Sequence, residues 1–195
     1  MRAPITHLLY LHGFRSSPQS TKARFVAAWI AEHAPELVWS CPQLPPSPGE
    51  AVERLMDSVA AWPTQEMAVI GSSLGGYYAT VMAERIGCRA VVLNPAIDPA
   101  RDLVKSIGEL KAWHGEDRFD FRAEYIDALR DMAPPVPLTR LGRYFAVIAK
   151  GDEVLSWREM SERYAGCRTC LIEGSDHALS DFDTHWPAVV EFLGL

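Results

Sequence analysis

The chain has 195 residues, 48% of them hydrophobic and 23% charged, a globular balance that rules out disorder and needs no disulfide or metal staple. Nineteen Lys and Arg against 25 Asp and Glu leave a net charge of −6 with no block of like charge. A nucleic-acid backbone or an acidic membrane surface, which demand clustered cations, therefore has no footprint here. No apolar stretch approaches the ~18 residues of a membrane span, so one domain over residues 1–195, located in the cytoplasm, is expected.

The opening MRAPITHLLYLHG is apolar for only a few residues before a glycine turn, and reads as a first strand, His7–Leu11, rather than a secretory leader. Phe25, Val26, Trp29 and Ile30 then form one helical face, followed by a strand over Leu37–Ser40. Cys41–Gly49 (CPQLPPSPG) reads as an extended connection, since each proline fixes its own φ and biases its predecessor away from helix. Val52, Leu55, Met56 and Val59 recur at helical spacing up to Pro63. A strand over Met67–Ile70 leads into a second periodic stripe, Leu74, Tyr78, Val81 and Met82, ended by Gly87. A strand over Ala90–Leu93 precedes the segment 98–143, longer than one crossover requires. Two short helices are predicted there, around Arg101–Lys111 and Arg122–Met132, as a cap-like insertion. Strands over Tyr144–Ala149 and Arg168–Ile172, and a helix carrying Trp186, Val189, Val190 and Leu193, complete the chain. This alternation implies an α/β fold with about six mainly parallel strands and helices on both faces.

The sharpest chemical signal is Gly71-Ser72-Ser73-Leu74-Gly75, a G-x-S-x-G pattern placed directly after a strand and directly before a helix. On so tight a turn the serine backbone is strained, its Oγ stands out at the C-terminal edge of the sheet, and the first helical amides point at whatever it attacks. An ordinary glycine-rich turn has the same glycines; the nucleophile reading rests on the elements to either side and on partners further along. A phosphate loop is excluded by spacing and by the absence of a lysine after the second glycine.

A serine needs a base, and the base an orienting acid. The strand Tyr144–Ala149 runs into Lys150-Gly151-Asp152-Glu153, and Arg168–Ile172 into Glu173-Gly174-Ser175-Asp176-His177. His177 is accordingly read as general base and acid, and Asp152 as the carboxylate behind it. Asp98, after the preceding strand, is the alternative acid; Asp176 is read as fixing its loop, and Glu153 is the weakest candidate. His33, His114 and His185 are read as structural or solvated. The oxyanion hole is assigned to the Leu74 N–H and, from the His12-Gly13-Phe14 turn, the Phe14 N–H, with Arg15 beside it a solvated surface charge. Cys167 and Cys170 have C-x-x-C spacing but lie in a predicted strand with no second ligand pair, so they read as structural.

HGFRSSP, GSSLGG, KGDEVL and EGSDHAL, in this order and at these intervals, resemble the α/β-hydrolase superfamily, and within it the small bacterial YqiA/YcfP-like esterases. The resemblance spans Tyr10 to the final helix and implies a minimal α/β-hydrolase fold, with strand order 2-1-3-4-5-6. It further implies hydrolysis of carboxylic esters through Ser73, Asp152 and His177, with no metal and no cofactor. Acyl thioesters are the alternative substrates; a non-catalytic binding module would be expected to have a broken triad. A small acyl ester or thioester is the expected partner. Tyr77, Tyr78, Trp113, Phe119 and Phe121 are candidates for an acyl pocket, although aromatic residues at helical spacing equally suit a core.

Overall fold

Serine caps and apolar periodicity set where the elements of this chain start and stop. The computed structural model describes residues 4–111 and 118–195. Along them run β1 (His7–Leu11), α1 (Thr21–His33), β2 (Val38–Ser40), α2 (Pro48–Ser58), β3 (Met67–Ser72), α3 (Leu74–Ile86) and β4 (Arg89–Leu93). After these come α4 (Pro99–Asp102), β5 (Gly108–Lys111), β6 (Arg118–Phe121), α5 (Ala123–Asp131), β7 (Tyr144–Ala149), α6 (Trp157–Arg163), β8 (Arg168–Ile172) and α7 (Phe182–Leu193).

Six strands pair in parallel in the order β2-β1-β3-β4-β7-β8, while β5 and β6 form a separate antiparallel hairpin. Numbered among themselves, the six give 2-1-3-4-5-6, the order predicted. Successive side chains of a strand face opposite ways, and the sheet accordingly separates two cores. Leu9, Leu11, Val69, Val92, Ala146 and Ile148 pack with α2, α3 and α5 on one side. Leu8, Tyr10, Ile70, Val91, Phe145 and Val147 pack with α1 and α7 on the other. All six residues of β3 and of β7 are buried, which is why these strands read as continuous apolar runs.

Three expectations are corrected. The helix predicted over Arg101–Lys111 is not formed: α4 ends at Asp102, a single 3-10 turn follows at Val104–Ser106, and the chain then enters the hairpin. Gly108 has φ 126°, outside helical space, and Glu109-Leu110-Lys111 alternates out-in-out against Arg118–Phe121, with Leu110 opposite Phe119. The insertion at 98–143 is therefore part hairpin rather than wholly helical, although its second helix is present as α5. The extended connection ends at Ser47, because Pro48 stands at the first position of α2, where a missing N–H costs nothing, and the Ser47 hydroxyl accepts from Glu50 N at 3.4 Å. Helix α6 was not foreseen; its signal is Ser156 three residues before Glu159, whose N–H the serine caps at 3.4 Å.

The crossing of α3 over β1 fixes the height of the serine turn. A β-carbon on Gly75 would stand 2.1 Å from the Leu11 carbonyl oxygen and 2.7 Å from that of His12. Both obstacles are backbone, so nothing can swing aside. Gly75→Ala is expected to lose about 3–5 kcal/mol of stability, read as a lowered urea midpoint.

Candidate active site

Ser73 joins β3 to α3 at φ 55° and ψ −119°, a conformation that costs a non-glycine residue about 1–3 kcal/mol and persists only where the surroundings impose it. Here they do. Its N–H donates to Leu93 O at 3.0 Å, and its carbonyl accepts from Gly76 N at 2.9 Å and Ala96 N at 3.0 Å. The hydroxyl is thereby held out over the C-terminal edge of the sheet.

The sheet order brings the ends of β7 and β8 alongside that of β4, and so delivers two further side chains to the same place. His177 Nε2 is 3.0 Å from Ser73 Oγ. On the far side of the ring, Nδ1 is 2.8 Å from Asp152 Oδ2. The other carboxylate oxygen of Asp152 accepts from Val154 N and Leu155 N, both at 2.8 Å. With its side chain 0% exposed against 14% for that of His177, Asp152 is an acceptor on every side, so Nδ1 carries the proton and Nε2 is left to accept from Ser73 Oγ–H. Asp98 is engaged elsewhere, its Oδ1 capping α4 through Arg101 N at 3.0 Å. Asp176 accepts from Ser180 N and Oγ at 2.9 and 2.6 Å and shapes the turn.

Three residues hold this arrangement in roles that sequence reasoning did not assign to them. Asn94, fully buried at φ 41°, donates from Nδ2 to the carbonyls of Asp176 (3.0 Å) and His177 (3.2 Å), and its Oδ1 accepts from Ala149 N at 2.8 Å. One side chain thus ties the histidine loop to the end of β7. Glu153 accepts from the His177 N–H at 2.9 Å, so both backbone polar groups of His177 are pinned. His12, also buried, accepts from Leu44 N at 3.1 Å through Nε2 and donates to Gly13 O at 3.0 Å through Nδ1. An asparagine just past a buried strand end and a histidine before a glycine turn were the available signals.

The Gly13–Phe14 turn lies against Ser73: a β-carbon on Gly13 would come within 3.3 Å of Ser73 Cβ and 3.8 Å of its Oγ. Because a peptide unit is planar, the His12 bond to Gly13 O also fixes the plane that carries the Phe14 N–H. Leu74 N–H belongs to the first turn of α3, where amides have no intrahelical acceptor. The Phe14 ring meets Phe121 and Phe119 edge-on, with centroids 5.1 and 6.1 Å away. Arg15 Nε donates to Lys111 O at 2.7 Å, so this arginine fastens the turn to the hairpin rather than standing in solvent.

A cavity of about 760 Å³ opens over Ser73 and His177. Leu74, Leu103, Val154 and Leu155 contribute apolar wall, and Ser16, Ser20, Lys22 and Ser180 a polar one. The insertion supplies its share from Pro99 to Ser106. Of the aromatic residues suggested for an acyl pocket, Tyr77 and Tyr78 are core, with Tyr77 Oη donating to Leu129 O at 2.5 Å. Phe119 and Phe121 back the Phe14 ring, and Trp113 lies outside the described residues, as does His114. His33 stacks on Trp29, and His185 bonds Asp181 at 3.2 Å. Burial pushes the thiols of Cys167 and Cys170 upward, that of Cys167 to about 11, the wrong direction for a reactive pair. Among the described residues no cluster of three or more His, Cys, Asp or Glu side chains is placed to hold a metal ion, and no helix is long and apolar enough to cross a membrane.

Comparison with known proteins agrees with this architecture. A UPF0227 protein of Shewanella sediminis (strain HAW-EB3) is 23% identical over 187 residues, covering 93% of this chain and 96% of its own. Alpha/beta hydrolase domain-containing protein 10 from mouse superposes with a TM-score of 0.71 at 14% identity, over 99% of this chain and 92% of that one. The Pyrococcus furiosus esterase Pf2001 gives 0.64 at 15%, over 99% and 82%. These superpositions establish an α/β-hydrolase fold. The model of the uncharacterised protein family UPF0227 matches residues 7–194, and the chain therefore belongs to that family.

Proposed function

We propose that the protein is a serine hydrolase that cleaves carboxylic esters through an acyl-enzyme. The observation that carries this reading is the unbroken hydrogen-bonded line from Ser73 Oγ through the His177 ring to Asp152, at the floor of an open cavity. Ser73 Oγ bonds to the acyl carbon while its proton passes to His177 Nε2, and the carbonyl electron pair moves onto oxygen. The Leu74 and Phe14 amides face that oxyanion. Its collapse breaks the bond to the alkoxy oxygen, which leaves as the alcohol with the proton from Nε2. Water then gives a proton to Nε2, attacks the acyl carbon and releases the acid, and Ser73 recovers its proton. A non-catalytic binding module has no need of an imidazole aligned on both sides.

A fluorophosphonate probe takes the place of the ester in the first step and stops there. Labelling of Ser73, located by peptide mass spectrometry and lost on prior heat denaturation, is the expected result. An unlabelled, folded protein would count against the mechanism.

A further inference from the structure

Lys22 sits where a lysine is poorly served. It lies in the first turn of α1, a turn with no acidic residue and with the positive end of the peptide dipoles already beside it. Its ammonium has three N–H groups, and one donates to the carbonyl of Ala178. Partial burial pulls its pKa down to about 8, with Asp176 drawing it back upward. A cation at the wrong helix end, partly stripped of water and, among the described residues, bonded through one N–H with Asp176 nearby, is a local conflict of the kind that marks a binding role.

Its surroundings point to the ligand. Among the described residues the cavity wall carries Arg15, Lys22 and Lys105 against Asp102 and Asp183, with Asp176 near Lys22 outside that wall, in a chain whose net charge is −6. Asp102 is matched by Arg101 at 2.8 Å, Asp183 Oδ1 accepts from Thr184 N at 2.9 Å, and Arg15 spends its Nε on Lys111 O. Lys105 is exposed. Arg15 and Lys22 are both half-buried on the cavity wall, and Lys22 is the one bonded to the residue that follows His177. It also lies on a defined side of the reacting carbon. The leaving oxygen must take its proton from His177 Nε2, so the leaving group departs past His177, and the next residue, Ala178, is the one Lys22 touches.

We propose that the preferred substrate is an ester whose leaving group bears a negative charge, and that Lys22 is the cation that receives it. The proposal rests on the serine-hydrolase reading above. Its test compares 3-carboxy-4-nitrophenyl butyrate with the methyl ester of that carboxyl group, a neutral leaving group of similar electronic character. Mono-4-nitrophenyl glutarate against 4-nitrophenyl butyrate places the charge on the acyl side instead. The wild-type protein is expected to favour the carboxylate leaving group about tenfold in kcat/KM, mainly through KM. The ratio should fall towards one in Lys22→Met and in 0.5 M NaCl, and the glutarate should show no advantage. Equal kcat/KM for the first pair, a preference that survives Lys22→Met, or a preference confined to the glutarate each overturns the proposal while leaving the hydrolase reading intact. Where Lys22→Met does not fold, Lys22→Gln, which retains a donor for the Ala178 carbonyl, makes the same comparison with the same expected loss of preference. No turnover of any ester, with Ser73 unlabelled by the fluorophosphonate, removes both readings together.

Discussion

Ser73→Ala should reduce kcat/KM for 4-nitrophenyl butyrate on the order of 10⁴- to 10⁶-fold while leaving the circular dichroism spectrum unchanged. The asymmetry follows from the geometry. The backbone bonds that impose φ 55° run through the Ser73 N–H and carbonyl, which alanine retains, and the side chain contributes one hydrogen bond, to His177. Whatever turnover survives comes from the oxyanion amides and from binding, which the substitution does not touch. A variant that kept wild-type turnover would place the chemistry at another nucleophile, and the same assay would show it directly.

Asn94→Ala is expected to damage both stability and turnover, for separable reasons. It removes two donated bonds and one accepted bond at a fully buried position and leaves the Ala149 N–H without its acceptor, together about 3 kcal/mol. It also keeps a β-carbon at φ 41° while losing the polar side chain that makes asparagine tolerant there, about 1 kcal/mol more. Asn94→Gly has the first loss without the second, so the difference between the two urea midpoints isolates the backbone cost. Asn94 touches no reacting atom; it is a positioning residue. In the folded fraction of either variant kcat should fall about 10- to 100-fold with KM little changed, since the drift is in the histidine loop and not in the cavity wall. A merely structural asparagine would lower the midpoint and leave the kcat of the folded fraction alone.

The main sheet was legible because its strands are buried on both faces, and such strands announce themselves as unbroken apolar runs, as Tyr144–Ala149 does. The candidate nucleophile, base and acid were legible because each lies within five residues of a strand end, so that chain order alone delivers them to one edge. The hairpin was not. Glu109-Leu110-Lys111 is only three residues of alternation, too short to overrule the helix-compatible residues before it, and pairing with Arg118–Phe121 decided the matter through contacts that propensity does not see. Helix α6, at seven residues, carries no full apolar stripe, and its cap was the one local cue. Asn94 and His12 were missed for a different reason. Their work is to bond backbone groups that are remote in the chain, at Asp176, His177 and Leu44, and no spacing rule links a side chain to a main-chain atom dozens of residues away.

The fastening of the Gly13–Phe14 turn carries a consequence for how this fold tolerates change. The Phe14 amide and the Phe14 ring belong to one residue: the first is the proposed oxyanion donor, the second packs edge-on against Phe119 and Phe121, with Arg15 bonded to Lys111 alongside. On the proposed mechanism the hairpin is thus a splint for the peptide that polarises the acyl carbonyl. Sequence drift in its two aromatic rings is then expected to slow turnover, without any alteration to Ser73, His177 or Asp152.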